Sequence, residues 1–129
     1  PPVLWADTTV PLDRRSFAKP ADSKEAAEML EALSGQRHEV LTAVALKRDD
    51  DLFSSLSRSE VQFKKLSAEE IAQYVATGEG DDKAGAYAIQ GRAARFIAEL
   101  HGSYSGVMGL PLYETSQLLE KLRERRSPY

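Results

Sequence analysis

The chain has 129 residues, of which 42% are hydrophobic and 29% charged, proportions typical of a globular domain with one core. Its net charge of −3 argues against a surface that coats nucleic acid, because binding to a phosphate backbone needs an excess of basic residues. Cysteine is absent, which excludes disulfides, thiolate nucleophiles and cysteine-bound zinc, and no apolar stretch approaches the roughly 20 residues of a membrane span.

The start of the chain predicts a strand followed by a hairpin. Residues 3–6 form a continuous apolar run, the pattern of a short strand that is covered on both faces. Buried strands rarely begin a chain, and there is no initiator methionine, so we expect an N-terminal truncation. Residues 10–17 place Asp13-Arg14-Arg15 between apolar positions and predict a turn or hairpin.

Residues 22–33 carry the clearest helix pattern. Asp22 and Glu25 have the spacing of a capping box, and Gly35 follows where a left-handed C-terminal cap is expected. One apolar stripe runs along the predicted helix and contains Ala26, Met29, Leu30 and Leu33.

The middle of the chain predicts an antiparallel hairpin and a second helix. Residues 38–46 alternate and are rich in β-formers, and residues 52–66 hold another strand beyond the charged turn 48–51. Ser67 and Glu70 repeat the capping-box spacing before a second amphipathic stripe.

The last third is less regular. Residues 83–91 have the small, glycine-punctuated composition of a functional loop, residues 95–100 suit either a strand or a helical turn, and residues 112–126 predict a helix. Strands and helices alternate irregularly, so the predicted fold class is α/β, with a mixed, twisted sheet flanked by helices. We expect a single domain over residues 1–129.

Two isolated charged residues are candidates for chemistry. Asp7 directly follows the first apolar run, and ligands of open α/β sheets collect at the carboxyl ends of strands. A carboxylate there can accept a proton from water or bind a divalent cation; the alternative is an aspartate that only caps a turn. Lys19 precedes a proline and can meet phosphate oxygens, and the alternative is a solvent-exposed lysine.

The stretch 81–91 is the most unusual in composition. Its charged head, Asp81-Asp82-Lys83, adjoins small residues that let a ligand approach the backbone closely, and it ends in the amide of Gln90. It matches neither a Walker loop nor a dinucleotide fingerprint, and a simple glycine-rich turn explains it equally well.

Other residues favour structural roles. His38 and His101 lack the spacing of metal ligands, so surface or strand positions are expected for them. The aromatic side chains expected in the core are Trp5, Phe63, Tyr74 and Phe96.

Taken together, ordered motifs across nearly the whole chain resemble the Maf family, which is named for inhibition of septum formation and associated with nucleotide pyrophosphatase activity. The matching stretches are Ala6-Asp7-Thr8, Lys19-Pro20-Ala21-Asp22, Leu33-Ser34-Gly35, residues 38–43, Tyr74-Val75-Ala76-Thr77-Gly78-Glu79, residues 82–91 and residues 102–111. Any single stretch is weak, but the ordered set is specific.

The resemblance implies a Maf-like fold and an enzyme that hydrolyses pyrimidine triphosphates such as dTTP or UTP to the monophosphate and pyrophosphate. Asp7 matches the family's proton acceptor and is a tentative metal ligand, with Mg²⁺ or Mn²⁺ as the implied cofactor. The implied substrate-binding residues are Thr8, Lys19, Asp82, Lys83 and Gln90, with Thr8 and Gln90 selecting the base. A glutamine amide can pair with the N3–H and O4 edge that uracil and thymine share.

The sequence departs from the family pattern at its start. The family's opening segment, a serine-rich strand-to-helix turn with paired arginines, has no counterpart, and Arg14-Arg15 cannot replace it because they follow Asp7. We therefore expect this chain alone to be inactive or weak and the parent protein to be an enzyme.

Two alternatives stay open: a non-catalytic nucleotide-binding or cell-division regulatory module, and a pyrophosphatase for a modified nucleotide such as 7-methyl-GTP. The expected partner is a small nucleotide, without nucleic acid or membrane, and the family implies a homodimer as a candidate assembly. The N-terminus lacks the layout of a secretory signal, so a cytoplasmic protein is expected.

Overall fold

The structure is a computed structural model that describes residues 1–12 and 15–126. The predicted turn residues Asp13 and Arg14 lie outside the described residues. The elements in chain order are β1 (Val3–Leu12), β2 (Arg15–Phe17), α1 (Ser23–Leu33), β3 (Arg37–Arg48), β4 (Asp51–Phe63), α2 (Ala68–Ala76), short 3₁₀ helices at Ala84–Ala86 and Arg92–Phe96, β5 (Ile97–His101), α3 (Tyr104–Met108) and α4 (Leu112–Arg126).

The strands form one sheet in the order β2-β1-β3-β4-β5 within the described part of the chain. The sheet is flanked by helices, as predicted. All of these neighbouring pairs are antiparallel, however, so the described pairings do not form the mixed sheet that the sequence predicted. The tight turn at Asp49 and Asp50 explains the central pair, because a short turn can join only antiparallel strands.

The predicted helix starts are confirmed at the level of hydrogen bonds. The Asp22 side chain accepts from the amide of Glu25 at 2.8 Å and caps α1. Ser67 and Glu70 form the complete reciprocal box at the start of α2. Among the described residues, none of the helices is both long and apolar enough to cross a bilayer.

One face of the sheet supplies the core. His38, Val40, Thr42, Val44 and Leu46 alternate along β3 and are all buried, as the period of a strand requires. The α1 stripe predicted from the sequence packs against this face together with α2, in a cluster that includes Phe63, Tyr74 and Phe96. Leu118 and Leu122 of α4 pack further along the same face, against Val44 and Leu46.

The prediction that the first apolar run is covered on both faces is wrong. Val3 is 56% exposed and Trp5, expected in the core, is 47% exposed. Within the described residues β2 pairs with β1 only over Val10–Leu12, so the start of β1 forms an edge of the sheet. Trp5 also points to the face opposite the helices, since it alternates with Leu4 and Ala6, whose β3 partners Leu46 and Val44 are buried in the core.

Candidate active site

A pocket of about 440 Å³ opens beside β1 and brings together most of the residues that the sequence singled out. Asp7 and Thr8 come from β1, Lys19 from the segment after β2, and Asp82 and Lys83 from the turn after α2. The apolar part of the lining includes Val10, Val40, Val107 and Met108. Two aspartates and two lysines therefore line a pocket whose other lining residues are largely apolar, a composition typical of small-molecule sites.

Asp7 does not lie at the end of a strand, contrary to the sequence-based expectation. It sits in the middle of β1, opposite Ala43 of β3, because Thr8 and Thr9 continue the pairing. Polar β-branched residues extend the strand at this point, so the change from apolar to polar side chains does not mark its end. Asp7 is exposed, and Asp7 and Thr8, which are neighbours on β1, both contribute to the pocket lining.

The segment 82–87 also lines the pocket, and it is more tightly packed than the functional loop predicted from the sequence. Residues 85–89 are buried, and the amide of Gly85 donates to the carbonyl of Ala18 at 3.3 Å, tying this segment to the one that carries Lys19. Gly85 has φ +78°, and a Cβ there would lie 3.2 Å from Val10 and 3.5 Å from the Tyr87 ring. Glycine is therefore the residue that this close approach accepts.

Tyr74 and Glu79 anchor the far end of the same segment. The Tyr74 hydroxyl donates to Glu79 at 2.9 Å and accepts from the amide of Ala88 at 3.0 Å. Glu79 also accepts from the amide of Arg92 at 3.1 Å. Burial alone would raise the pKa of Glu79, but the hydrogen bonds from Arg92 and Tyr74 outweigh it, so its pKa lies below the ordinary value. The carboxylate thus links both ends of the segment while remaining ionised.

Tyr87 lines the pocket and is supported from behind by His38. The His38 Nε2 atom and the Tyr87 hydroxyl are 2.7 Å apart, and both side chains are buried. Burial lowers the pKa of His38 to about 4, so the imidazole is neutral near neutral pH. The sequence pattern predicted a strand or surface position for His38, and the structure places it in β3, in contact with Tyr87.

Gln90 lies outside this pocket. Its side chain is exposed and lines a second cavity of about 360 Å³, shared with Ala94, Ile97 and Tyr104. Tyr87 lines the first cavity and Ile89 the second, so one short segment contributes to both. The expected pair of Thr8 and Gln90 is therefore not brought together in one groove.

The pocket offers oxygen donors for a divalent cation. Among the described residues there is no group of three His, Asp or Glu side chains able to hold a metal. Asp7 and Asp82 nevertheless place two carboxylates in the lining, and Mg²⁺ is usually held by one or two carboxylates together with substrate phosphates. Carboxylate oxygens are the type of ligand that such a cation, shared with a substrate, requires.

The sequence did not single out several residues that the structure places at the pocket. Tyr87 and Ala84 stand within the flagged stretch 81–91, and Met108 and Gly109 stand within the matched stretch 102–111. Thr42, which forms a hydrogen bond with the pocket residue Thr8, was predicted only as part of the alternating strand 38–46. The sequence could not predict that contact, because the two threonines are far apart in the chain and become neighbours only through the register of β1 and β3.

Fold and pocket together define an α/β protein with a pocket lined by charged residues. The Maf-like protein family model matches residues 1–122, and the chain belongs to that family. Similar proteins are the dTTP/UTP pyrophosphatases of Nitrosomonas europaea, 59% identical over 120 residues, and of Aromatoleum aromaticum, 58% identical over 118 residues. These matches cover 93% and 92% of this chain but only 58% and 57% of the relatives, so the chain spans a little over half of their length.

Proposed function

We propose that this chain supplies the catalytic pocket of a nucleoside triphosphate pyrophosphatase that hydrolyses dTTP and UTP to the monophosphate and pyrophosphate. The observation that carries the proposal is the convergence of Asp7, Lys19 and Lys83 in one pocket from three separate segments. The relatives named dTTP/UTP pyrophosphatase, at 59% and 58% identity, support the choice of substrate.

Each charged group has a distinct task in this proposal. Asp7 is exposed and accepts a proton from the water that attacks the α-phosphorus. Lys19 and Lys83 place positive charge against the triphosphate oxygens and stabilise the negative charge of the departing pyrophosphate. Thr8 contacts the base. Gln90 stays a proposed base contact that requires the ligand to reach from the first cavity to the second.

Asp7 and Asp82 are the residues that would hold Mg²⁺ or Mn²⁺ in the pocket, completed by phosphate oxygens. When bound, the cation supplies charge neutralisation and polarisation of a phosphoryl oxygen. The two aspartates would then also help to orient the triphosphate.

A second candidate is a nucleotide-binding module without turnover. It differs from the enzyme in one measurable respect, since it binds triphosphates without releasing pyrophosphate. A third is a pyrophosphatase for a modified nucleotide such as 7-methyl-GTP.

A substrate panel separates these candidates. Pyrophosphate release and binding are measured with Mg²⁺ for dTTP, UTP, CTP, GTP and 7-methyl-GTP. The panel is run on this chain and on the chain joined to the residues of the N. europaea relative that it does not match. We expect release to be fastest with dTTP and UTP and to increase in the joined protein. Binding without release in both forms would support the module, and preference for 7-methyl-GTP would support the third candidate.

The finer assignments from the resemblance are also proposals. They comprise a cytoplasmic location, a homodimer, and a role in cleansing nucleotide pools or in control of septum formation. Sedimentation equilibrium tests the dimer, which predicts twice the mass of one chain.

A further inference from the structure

The direction of one hydrogen-bond chain determines what Thr8 offers to the pocket. Thr8 and Thr42 face each other across β1 and β3, and their hydroxyl oxygens are 3.0 Å apart. Thr42 is buried, and its hydroxyl oxygen lies 2.7 Å from the carbonyl oxygen of Gly106. Since a carbonyl carries no proton, Thr42 must be the donor in this second bond.

A threonine hydroxyl has a single proton. Because Thr42 donates its proton to Gly106, it accepts in its bond with Thr8, and Thr8 must donate. The hydroxyl proton of Thr8 is therefore used in the hydrogen bond to Thr42. Only the lone pairs of the Thr8 oxygen remain for a ligand, so Thr8 acts on the pocket side as an acceptor.

The carbonyl that sets this direction is held firmly. A Cβ at Gly106 would clash with the Ser57 hydroxyl oxygen, so glycine at this position favours the close approach of α3 to the sheet. The Ser103 amide donates to Ser59 at 2.8 Å, and the Gly106 amide donates to the Ser103 hydroxyl at 2.9 Å. These bonds fix the start of α3 and with it the Gly106 carbonyl.

We propose that Thr42 is a positioning residue that holds Thr8 as the hydrogen-bond acceptor for the N3–H group of uracil or thymine, which leaves O4 of the base for the amide of Gln90. Thr8 lines the pocket beside Gly109, whose added Cβ would lie 3.9 Å from the Thr8 hydroxyl oxygen. Cytosine has no proton on N3, so its own acceptor would face the acceptor of Thr8. An unmatched pair of this kind costs roughly tenfold in binding. The inference rests on the proposed pyrimidine substrate.

The variant Thr42→Val tests the direction of the hydrogen bond between Thr8 and Thr42 without a large change in side-chain shape. Loss of the Thr42 hydroxyl leaves Thr8 free to rotate and to donate to N3 of cytosine. We therefore expect the dissociation constant for CTP to fall, so that a roughly tenfold preference for UTP over CTP shrinks to about twofold. General damage to the pocket would weaken both nucleotides instead.

Thr42→Ser retains the hydroxyl and is expected to restore the preference. Thr115→Val is the matched control, because Thr115 is also buried, lines neither cavity, and has no hydrogen-bond partner for its hydroxyl among the described residues. Thermal unfolding of each variant shows whether it is folded.

NMR of the free protein gives a readout that needs no nucleotide. The Thr42 hydroxyl proton is expected to be slow to exchange and close to Gly106. A Thr42→Val variant that keeps the wild-type ratio of UTP to CTP binding would overturn the inference while leaving the proposed function intact. If NMR shows the protected Thr42 hydroxyl proton but the wild type binds neither UTP nor CTP, the proposed function is wrong. The inference about base selection, which depends on that function, is then wrong too.

Discussion

At the scale of single residues, His38 shows how burial sets a protonation state. The side chain is 2% exposed, its ring packs edge-on against Phe63 at 5.1 Å, and Nε2 is bonded to the Tyr87 hydroxyl. Its Nδ1 atom has no hydrogen-bond partner among the described residues. A charged imidazole would lose hydration here without gaining an anion, which is why the pKa falls to about 4.

This lowered pKa predicts a loss of stability in acid. The unfolded chain binds a proton at His38 below its ordinary pKa of 6.5, whereas the folded chain does so only near 4. The free energy of unfolding should therefore fall as the pH drops from 6.5 to 4, by about 3 kcal/mol in total.

Urea unfolding at pH 7 and pH 4.5 measures the effect in the wild type and in His38→Gln, which cannot titrate. His101→Gln is the control, since His101 is exposed. Equal pH dependence in the wild type and His38→Gln would contradict the assignment.

At the scale of elements, the Tyr74 hydroxyl joins α2 to the pocket wall through Glu79 and the amide of Ala88. Tyr74→Phe leaves that buried amide without its acceptor. We expect a loss of about 1–3 kcal/mol in the free energy of unfolding, measured with urea. Tyr113→Phe, at a side chain that is 70% exposed, should leave the midpoint unchanged. Equal midpoints for Tyr74→Phe and the wild type would show that the hydroxyl does not anchor the segment.

Elements defined by local signals were predictable from the sequence. The stripe and cap of α1, the capping box of α2 and the hairpin of β3 and β4 depend on residues within a few positions of one another. The ambiguous stretch 95–100 proved to contain both options, a 3₁₀ turn that runs into β5.

Features that depend on tertiary neighbours were not predictable. The exposure of Trp5 follows from the edge position of β1, and no pattern within residues 3–6 reports which faces will be covered. The residue types at Asp7 and Lys19 suggested chemistry. The placement of Asp7 at the end of a strand was nevertheless wrong, because the extent of β1 depends on its pairing with β3. The separation of Gln90 from Thr8 depends on how the segment 85–90 packs, which its composition does not determine.

At the scale of the whole molecule, the net charge of −3 opposes approach of a triphosphate. Lys19 and Lys83 supply local positive charge where the phosphates are proposed to lie, and Asp7 and Asp82 require a cation to share the site with those phosphates. In the proposed function, local positive charge and a cation would together offset the repulsion between this acidic protein and its anionic substrate.

Pyrophosphate release from UTP by Asp7→Asn tests the central claim most directly, on whichever form of the protein shows the faster turnover. The substitution keeps the shape of the side chain but removes the proton acceptor. We predict a fall in kcat of roughly 100-fold or more, while the dissociation constant for UTP changes much less. Asp50→Asn, at an exposed turn, should behave as the wild type. Turnover by Asp7→Asn within about twofold of the wild type would contradict the assignment of Asp7 as the base.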